Sequence, residues 1–387
     1  MCVDAVRCPG HRLVVYLDSS PFRGGAQRSF GDLIEGIRGC GIAPYVLAAD
    51  RSPGGVIERC VRWGIGCRHV GAHHWGMTPF GLFVFGIERL RWRRALGRVF
   101  RSVQPALVHA NGIRGGLLAA GSVPAGVPLV LHDRDTRGAS WVLSHIGRRV
   151  DRVIAISESV SRRWAGHISP ECVSVIHNGL PVDRISRTKP TDSWPPDPSV
   201  FSVVLVADLL RWKAHDLFLA ALGSLKSLSV EFRAAVVGRI RDRRGINYLR
   251  ELQSSAHELG IADWVLFRTD ERDAWPWISA ADVLVSAASN EPFGRTVVEA
   301  LALGKPVVAV RGGGPDTILA NCAAGVLVDS SPVAIAQGLR PWAEAGAREG
   351  VNAAARERAR QFGIGPMVAH VCSVYETLWK QRSRSSS

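Results

Sequence analysis

The chain of 387 residues lacks the cysteine patterns that mark small metal-binding or cross-linked domains. Its eight cysteines form no C-x-x-C pair, and no histidine stands at zinc-finger spacing from two of them. This argues against a zinc finger and against a disulfide framework. We interpret the cysteines as small buried side chains or free thiols in a reducing compartment.

Signals for secretion or membrane insertion are also lacking. The first twelve residues, MCVDAVRCPGHR, contain no apolar h-region, so we expect no secretion signal. The longest nearly uncharged apolar stretch, residues 75–87, is too short to span a bilayer. We therefore expect a cytoplasmic protein, either free or peripheral at the inner face of the plasma membrane.

Acidic residues are outnumbered, with 34 Asp and Glu against 48 Lys and Arg, and the formal net charge is +14. A basic chain of this kind suits nucleic acid, an anionic membrane surface or a phosphorylated small molecule. The alternative is that arginine merely occupies solvated faces. Hydrophobic residues make up 47%, which is enough for ordinary cores and argues against a disordered chain.

Short β-branched runs alternate with longer amphipathic runs along the whole chain. Strand candidates such as LVVYLD and FSVVLVADL are apolar throughout, which is typical of parallel strands covered on both faces. The alternation predicts an α/β fold with two Rossmann-like, doubly wound parallel-sheet domains that face each other across a cleft. Ligands of such sheets bind at the carboxyl ends of the strands.

One segment interrupts the alternation and predicts the domain boundaries. Residues 184–199, RISRTKPTDSWPPDPS, are rich in Pro, Ser and Thr and have no period, which is typical of a linker. We therefore predict an N-terminal domain at 1–183 and a C-terminal domain at 200–362. We expect the tail at 381–387 to be disordered.

Two carboxylates in SNEPFGRTVVEALALGKPVVA, residues 289–309, are separated by seven residues. Glu291 is predicted in a loop after a strand, and Glu299 about one turn into a helix that Gly304 ends. The backbone N–H groups of residues 293–296 form the start of that helix, which suits a phosphate. This order of acid, anion site and acid predicts a site for a sugar–diphosphate–nucleoside. The alternative is that both glutamates are ordinary surface acids.

The segment SNEPFGRTVVEALALGKPVVAVRGGGPDTI resembles the most distinctive part of the family-4 retaining glycosyltransferases, whose fold is GT-B. It has the E-x7-E spacing, F-G after the first acid, G-K-P-V-V-A, and glycines before an acidic residue, here Asp316. Earlier in the chain, further segments occur in the family's order, among them SSPFRGGAQRSF, ALVHANG, DRVIAISES and VSVIHNGLPVD. The resemblance therefore covers nearly the whole chain. It implies that a final helix, residues 363–380, crosses back to the N-terminal domain.

The resemblance assigns roles to particular residues. Glu299 would bind the ribose and Glu291 the hydroxyls of the donor sugar, while Lys213 would neutralise the diphosphate. His132 would lie near the donor sugar. The remaining donor-binding candidates lie at the first strand–helix turn, in the loop that contacts the base, and at the start of the helix that carries Glu299: Gly24, Gly25, Arg268, Phe293, Gly294, Arg295 and Thr296. The implied catalytic residues are Glu291, His132 and Lys213.

Two departures from the family pattern affect the diphosphate site. The family commonly has Gly-Arg at Ala207-Asp208, and Gly at Ala214. An aspartate at the position of a phosphate-binding arginine puts negative charge near the diphosphate, unless an arginine compensates by entering the same space. The candidates are Arg211, Arg239 and Arg295. Without compensation, the chain would be a catalytically impaired relative that only binds nucleotide sugars.

Other candidate sites have simpler alternatives. Asp133-Arg134-Asp135 has the D-x-D form of a metal–diphosphate site, although a strand-end turn paired with arginine explains it equally. Gly312–Gly314 could suggest a dinucleotide loop, but the glycines are consecutive and no acid follows at the required distance. We interpret His73-His74 as an ordinary loop pair.

Residues 80–103, FGLFVFGIERLRWRRALGRVFRSV, combine an apolar start with six arginines. As a helix they would form a basic amphipathic surface for anionic lipid head groups. The alternative is a domain helix with a solvated arginine face.

Together these features predict a nucleotide-sugar-dependent retaining glycosyltransferase. It would move a hexose from a UDP- or GDP-linked donor to a glycan or lipid-linked acceptor in envelope polysaccharide or glycolipid synthesis. We expect no metal cofactor and no nucleic-acid partner. The alternatives are the impaired relative described above and a nucleotide-sugar epimerase of the same fold.

Overall fold

The computed structural model describes residues 2–3, 11–21, 24–72, 79–136, 138–195, 197, 199–271 and 273–385. The chain divides into two compact units. The first unit consists of Met1–Gly179 together with Ile364–Ser387, and the second consists of Leu180–Gly363. Each unit contains its own sheet, with helices packed on both faces.

The sheet of the first unit has the order β1-β4-β3-β2-β5-β6-β7-β8. Its strands are β1 (Cys2–Val3), β2 (Arg12–Asp18), β3 (Ile42–Ala48), β4 (Gly66–His69), β5 (Leu107–Asn111), β6 (Leu129–Asp133), β7 (Arg152–Ala155) and β8 (Val173–Val175). The two residues of β1 pair antiparallel with β4, and all other pairs are parallel. The helices before the second unit are α1 (Gly25–Ile37), α2 (Val56–Arg62), α3 (Pro79–Val103), α4 (Gly112–Ala120), α5 (Ser140–Gly147) and α6 (Glu158–Arg162).

Strand β2 shows why its sequence is apolar without alternation. Val14 and Tyr16 point into one hydrophobic cluster, whereas Val15 and Leu17 point into another on the opposite face of the sheet. All four side chains are fully buried. A strand covered on both faces must be apolar at every position, as the sequence predicted.

The sheet of the second unit has the order β11-β10-β9-β12-β13-β14, and every pair is parallel. Its strands are β9 (Phe201–Val206), β10 (Phe232–Val237), β11 (Val265–Arg268), β12 (Val283–Ser286), β13 (Val307–Val310) and β14 (Gly325–Val328). Its helices are α7 (Val182–Ile185), α8 (His215–Ser227), α9 (Arg243–Glu258), α10 (Trp275–Ala280), α11 (Arg295–Ala302), α12 (Gly314–Ile318), α13 (Pro332–Leu339), α14 (Ala345–Glu349) and α15 (Asn352–Arg360). The predicted class of two doubly wound parallel-sheet units is confirmed. Apart from the antiparallel β1, the strand order of each sheet reverses once, between β2 and β5 and between β9 and β12, and ligands of such sheets bind at this reversal.

The last helix, α16 (Ile364–Ser385), belongs to the first unit. Val371 and Tyr375 are fully buried in the cluster that also contains Tyr16 and Phe30. The prediction of a disordered tail is therefore wrong for residues 381–385, which continue α16. Arg382 holds this end in place through an ion pair with Asp151 at 3.2 Å.

The predicted linker at 184–199 is also wrong. The division between the units falls after Gly179, and the described residues of the segment pack on the second unit. The N–H of Thr191 donates to the carbonyl of Pro276 at 3.1 Å. Trp194 is buried against Trp277, with ring centroids 6.1 Å apart. Composition alone did not indicate these contacts, because their partners Pro276 and Trp277 lie 85 and 83 positions further along the chain.

Candidate active site

The loops that follow β9 and β12 meet at the reversal of the second sheet. Lys213 lies in a short 3₁₀ turn after β9, and Glu291 lies in the loop after β12. The Nζ atom of Lys213 lies 2.5 Å from Oε2 of Glu291. Both side chains are largely shielded from solvent, with 19% and 15% exposed. The predicted cation and the first predicted acid are therefore in direct contact.

The turn that carries Lys213 ends in a left-handed residue. Ala214 has φ 55° and ψ 46° and immediately precedes α8. A side chain in this region is strained by about 1 kcal/mol or more, which explains why a glycine at this position would be easier to accommodate. The Nζ atom of Lys213 also lies 4.0 Å from the centre of the Trp212 ring.

Helix α11 begins where the sequence predicted. Gly294 precedes it with φ 95°, a left-handed conformation that favours glycine. Because the first N–H groups of a helix have no carbonyl partner within it, this end suits an anion. Glu299 is buried on the same helix, 3% exposed, and its Oε1 lies 3.8 Å from Nε of Arg295.

A glycine loop holds the segment before α11 in place. The N–H of Gly314 donates to the carbonyl of Glu291 at 2.8 Å. A Cβ on Gly314 would lie 2.1 Å from the carbonyl oxygen of Phe293, and one on Gly313 would lie 2.3 Å from that of Glu291. The carboxylate of Asp316 accepts hydrogen bonds from the N–H groups of Gly312 and Gly313. The glycines therefore allow two backbone segments to approach, and Asp316 orients the loop.

Asp208 is compensated, although by a different set of arginines from the one predicted. Its carboxylate accepts hydrogen bonds from Nε of Arg239 at 3.1 Å and Nε of Arg241 at 2.7 Å. Burial raises the pKa of Asp208, but the two guanidinium groups outweigh it and hold the pKa below its ordinary value. The prediction was right for Arg239 and missed Arg241.

The other two predicted compensating arginines lie beside different carboxylates. Arg211 binds both oxygens of Glu251 at 2.7 and 2.6 Å. Arg295 lies beside Glu299. Both arginines thus have a carboxylate partner other than Asp208.

The remaining nucleotide-binding candidate of the second unit lies apart from these carboxylates. Arg268 is the last residue of β11, and its guanidinium lies 5.5 Å from the centre of the Trp277 ring. No hydrogen bond or ion pair joins Arg268 to Glu299 among the described residues. Its predicted role in binding the base stays a prediction.

In the first unit, the candidates lie at the carboxyl ends of β2 and β6. Gly24 precedes α1 and Gly25 is its first residue, and the N–H of Gly24 donates to Oε1 of Gln27 at 3.1 Å. Asp18, at the end of β2, is almost fully buried, and burial raises its pKa to about 6. His132 on β6 is fully buried, and burial, Arg134 and His109 lower its pKa well below the ordinary value.

The D-x-D segment is better explained by the simpler alternative. Oδ2 of Asp133 accepts a hydrogen bond from Nε1 of Trp164 at 2.8 Å and lies 3.5 Å from the Arg163 guanidinium. Asp135 donates its N–H to Oδ1 of Asp133. Within the described ranges, no three His, Cys, Asp or Glu side chains gather as a metal site. His73-His74 lie outside the described residues.

Sequence reasoning missed a group of buried polar side chains around Arg134. Nε of Arg134 donates to Oδ1 of Asn111 at 2.5 Å, and its Nη1 donates to Oδ1 of Asn178. Nδ2 of Asn111 in turn donates to Asp18 at 3.3 Å. The available signal was position, because polar residues follow apolar strands in ALVHANG and PLVLHDR.

Two family models match the chain. The model described as "Glycosyltransferase Family 4" matches residues 23–184, and the model described as "Glycosyl transferases group 1" matches residues 189–362. Together they extend from the start of α1 in the first unit to the end of α15 in the second unit.

Two curated relatives are D-inositol 3-phosphate glycosyltransferases. That of Xylanimonas cellulosilytica is 37% identical over 163 residues, which are 41% of this chain and 39% of the relative. That of Streptomyces bingchenggensis is 28% identical over 291 residues, which are 70% of this chain and 61% of the relative. The chain thus spans less than two thirds of the length of these curated relatives.

Solved structures show the same fold. Anabaena Alr3699/HepE in complex with UDP and glucose aligns with a TM-score of 0.76 at 21% identity, over 95% of this chain and 100% of that chain. A glycosyltransferase from Rickettsia africae aligns with a TM-score of 0.78 at 18% identity, over 96% of this chain and 99% of that chain. At these identities the comparison shows the fold but does not indicate the substrate.

Proposed function

Because the chain belongs to glycosyltransferase family 4 and has the GT-B fold, we propose that it transfers a hexose from a UDP- or GDP-linked donor to an acceptor hydroxyl, with retention at the anomeric carbon. The observation that carries the proposal is the contact between Lys213 and Glu291 at the reversal of the second sheet. Glu291 lies in the loop that leads directly into α11, and the buried Glu299 of that helix completes the E-x7-E pair.

Each group has a role in binding the donor. Glu299 accepts hydrogen bonds from the ribose diol, and Glu291 accepts them from hydroxyls of the sugar. Lys213 and the N–H groups at the start of α11, from Phe293 to Thr296, bind the diphosphate. Since Lys213 already contacts Glu291, a bound donor makes the lysine bridge the diphosphate and this carboxylate. A charged hydrogen bond of this kind is worth about 1.5–3 kcal/mol.

The reaction breaks the bond between the anomeric carbon and the diphosphate oxygen and forms a bond from that carbon to the acceptor oxygen. The leaving phosphate takes the acceptor's proton on the same face of the sugar. Lys213 and the start of α11 stabilise the charge that develops on the leaving group, so catalysis is mainly electrostatic. From the family resemblance, Gly24 and Gly25 supply further backbone contacts to the diphosphate, and His132 contacts the donor sugar.

We propose an active enzyme because Asp208 is compensated. Arg239 and Arg241 both contact its carboxylate, so the local charge of this cluster is positive. The impaired relative stays the second candidate, because the same contacts occupy the two guanidinium groups. We propose that no metal ion is needed, since Lys213 and the helix start supply the positive charge at the diphosphate.

An exposed face of α3 supports a lipid-linked acceptor. Trp92, Leu96 and other residues of this helix are buried against the first sheet. On the opposite side, Phe83, Ile87 and Leu90 are 65%, 39% and 54% exposed. Their spacing of four and three residues places them on one stripe of the helix.

Arginines continue this stripe toward the end of α3. Arg94, Arg98 and Arg101 follow Leu90 at intervals of four, four and three residues and are exposed. Within the described part of the chain, none of the three forms an ion pair. We propose that the stripe binds an anionic lipid surface, with the apolar residues among the acyl chains and the arginines at the head groups. No described helix combines the length and apolarity needed to cross a membrane.

The donor is tested by isothermal titration with UDP and GDP, followed by mass spectrometry of nucleotide-sugar turnover with and without a chelator. Lys213→Met and Glu299→Gln should each weaken nucleotide binding at least about tenfold. Matched controls are Lys226→Met and Glu258→Gln, because Lys226 donates to the carbonyl of Gly260 and the exposed Glu258 accepts from Ser254, both away from the turn that carries Lys213. Equal affinities in all four variants would refute the site. Binding without sugar release would favour the impaired relative.

The acceptor is tested with the same enzyme. Inositol 3-phosphate is included because the curated relatives are named for it, beside lipid-linked and glycan acceptors. Flotation with phosphatidylglycerol vesicles tests the stripe. Replacing Phe83, Ile87 and Leu90 by serine should abolish flotation, whereas the exposed Val333→Ser should leave it unchanged. Equal flotation of both variants would exclude the stripe as the lipid-binding surface.

A further inference from the structure

A line of buried polar side chains crosses the first sheet beneath α16. Tyr16 lies on β2, His109 on β5 and His132 on β6, and Tyr375 reaches them from α16. All four are fully buried. The hydroxyl of Tyr375 lies 2.6 Å from Nδ1 of His109 and 3.3 Å from the hydroxyl of Tyr16. Nε2 of His109 lies 3.2 Å from Nδ1 of His132.

Arg134 fixes the direction of the hydrogen bonds along this line. Its Nη2 lies 3.3 Å from Nδ1 of His132. A guanidinium can only donate, so Nδ1 of His132 must carry the lone pair. In a neutral imidazole the proton is then on Nε2.

The tautomer of the next ring follows from this. Since Nδ1 of His132 accepts, Nε2 of His109 carries a proton and donates to it. Nδ1 of His109 is then an acceptor, and Tyr375 donates its single hydroxyl proton to it at 2.6 Å rather than to the hydroxyl of Tyr16 at 3.3 Å. Both contacts to Nδ1 of His132 exceed 3.0 Å, as expected when two donors share one lone pair.

Charge and burial agree with this assignment. Burial lowers the pKa of His109 to about 3, and Arg134 adds to the effect. Burial and neighbouring charge likewise keep His132 neutral. The chain of hydrogen bonds from Tyr375 through His109 to His132, here called the relay, ends at Nε2 of His132. This atom has no hydrogen-bond partner among the described residues. A buried N–H without an acceptor is costly, so such a group is expected where a ligand supplies the acceptor.

We propose that His109 and Tyr375, together with Arg134, are positioning residues that hold His132 as the Nε2–H tautomer, which leaves this N–H to donate to the donor-sugar oxygen that the family resemblance implies. The ligand part rests on the proposed function, whereas the tautomer does not. Because His132 is fully covered here, the oxygen reaches Nε2 only when neighbouring side chains shift. Tyr375 on α16 thus supports, through His109, the protonation of His132 that Arg134 also favours.

The tautomers are measured by long-range ¹⁵N–¹H correlation NMR on histidine-labelled protein, with signals assigned from His109→Gln and His132→Gln. Near neutral pH both rings should be neutral with the proton on Nε2. A proton on Nδ1 of His132 would overturn the inference. A nucleotide sugar, compared with the nucleotide alone, should shift the Nε2 signal of His132. An unchanged signal would overturn the ligand contact.

Kinetics separate positioning from simple packing. His109→Leu removes one of the two donors to Nδ1 of His132 and should lower kcat about tenfold, while His109→Gln offers an N–H in its place and should restore most of that loss. Tyr375→Phe should lower kcat in the same direction while changing KM for the donor little. Tyr248→Phe is the matched control, because this hydroxyl contacts Asp216 in the second unit. Equal kcat in His109→Leu and wild type would overturn the positioning role.

The two proposals fail separately. If the wild-type protein neither binds nor turns over any nucleotide sugar, the proposed function fails. The NMR experiment still tests whether His109 and His132 are the predicted tautomers. If turnover is found but His132 carries its proton on Nδ1, the relay alone is refuted.

Discussion

The glycine loop before α12 allows a sharp test, because one methyl group can be added where no space exists. In Gly314→Ala, the new Cβ would lie 2.1 Å from the carbonyl oxygen and 2.3 Å from the Cα of Phe293. Both are backbone atoms, so no side-chain rotation relieves the contact. The loop or the start of α11 must move by about 1 Å to reach an ordinary contact distance.

The cost has two parts. Overpacking of a rigid site typically costs about 1–3 kcal/mol. The hydrogen bond from the N–H of Gly314 to the carbonyl of Glu291 is weakened as well, at about 0.5–1.5 kcal/mol. We expect the free energy of unfolding to fall by about 2–4 kcal/mol. Since Glu291 moves with the loop, affinity for UDP-sugar and kcat should fall roughly 10- to 100-fold.

Urea unfolding and isothermal titration measure the two effects, with two glycine controls in the same unit. Gly346→Ala in α14 meets nothing within 4 Å, so it should be neutral or stabilise by up to about 1 kcal/mol. Gly338→Ala meets the core side chains of Val328 and Val308, so it should reduce stability but not nucleotide affinity. The reasoning is refuted if Gly314→Ala behaves like Gly346→Ala in unfolding, or like Gly338→Ala in binding.

Three further substitutions test local electrostatics and strain. Asp208→Asn should cost only about 1 kcal/mol of stability, since Arg239 and Arg241 beside it are partly exposed. Isothermal titration should nevertheless show the affinity for UDP raised about fivefold, because both arginines become available to the diphosphate. An unchanged affinity would place the two arginines outside the site. Burial raises the pKa of Asp133 to about 7, so its contribution is fully present below about pH 4 and is lost as pH rises to about 7. Urea unfolding across this range should show the wild type losing stability relative to Asp133→Asn as pH rises, because Asn does not titrate, and a difference independent of pH would contradict the shift. Ala214→Gly should raise the unfolding free energy by about 0.5–1 kcal/mol, because it relieves the left-handed alanine; a loss of stability would contradict the strain.

Local sequence patterns predicted the parts of the fold that depend on neighbours along the chain. The strand before Glu291, the helix that carries Glu299 and the turn at Gly294 were all predicted, since β-branched runs, helix formers and glycine act within a few residues. Lys213 was identified from the family resemblance. Its contact with Glu291, 78 residues away, is a finding of the structure.

Contacts between distant residues account for what was missed. Nothing near Asp208 in the sequence indicates that Arg241 completes its compensation, because β10 must first be placed beside β9. Tyr375 and His109 are 266 residues apart, so no local pattern joins them. The segment 184–199 has the composition of a linker, but its tryptophan provides an apolar surface that packs on α10.

The order in which the ribosome delivers the chain gives α16 a further significance. Every strand of the first sheet emerges before residue 180, yet α16, one of the helices that cover one face of that sheet, emerges only after the entire second unit. Until then, Tyr16 and Phe30 lack part of their apolar cover, and His109 lacks its hydroxyl partner. Packing of the first unit is therefore completed only after α16 has been translated, and a nascent chain stalled before residue 364 would expose apolar surface to which chaperones bind.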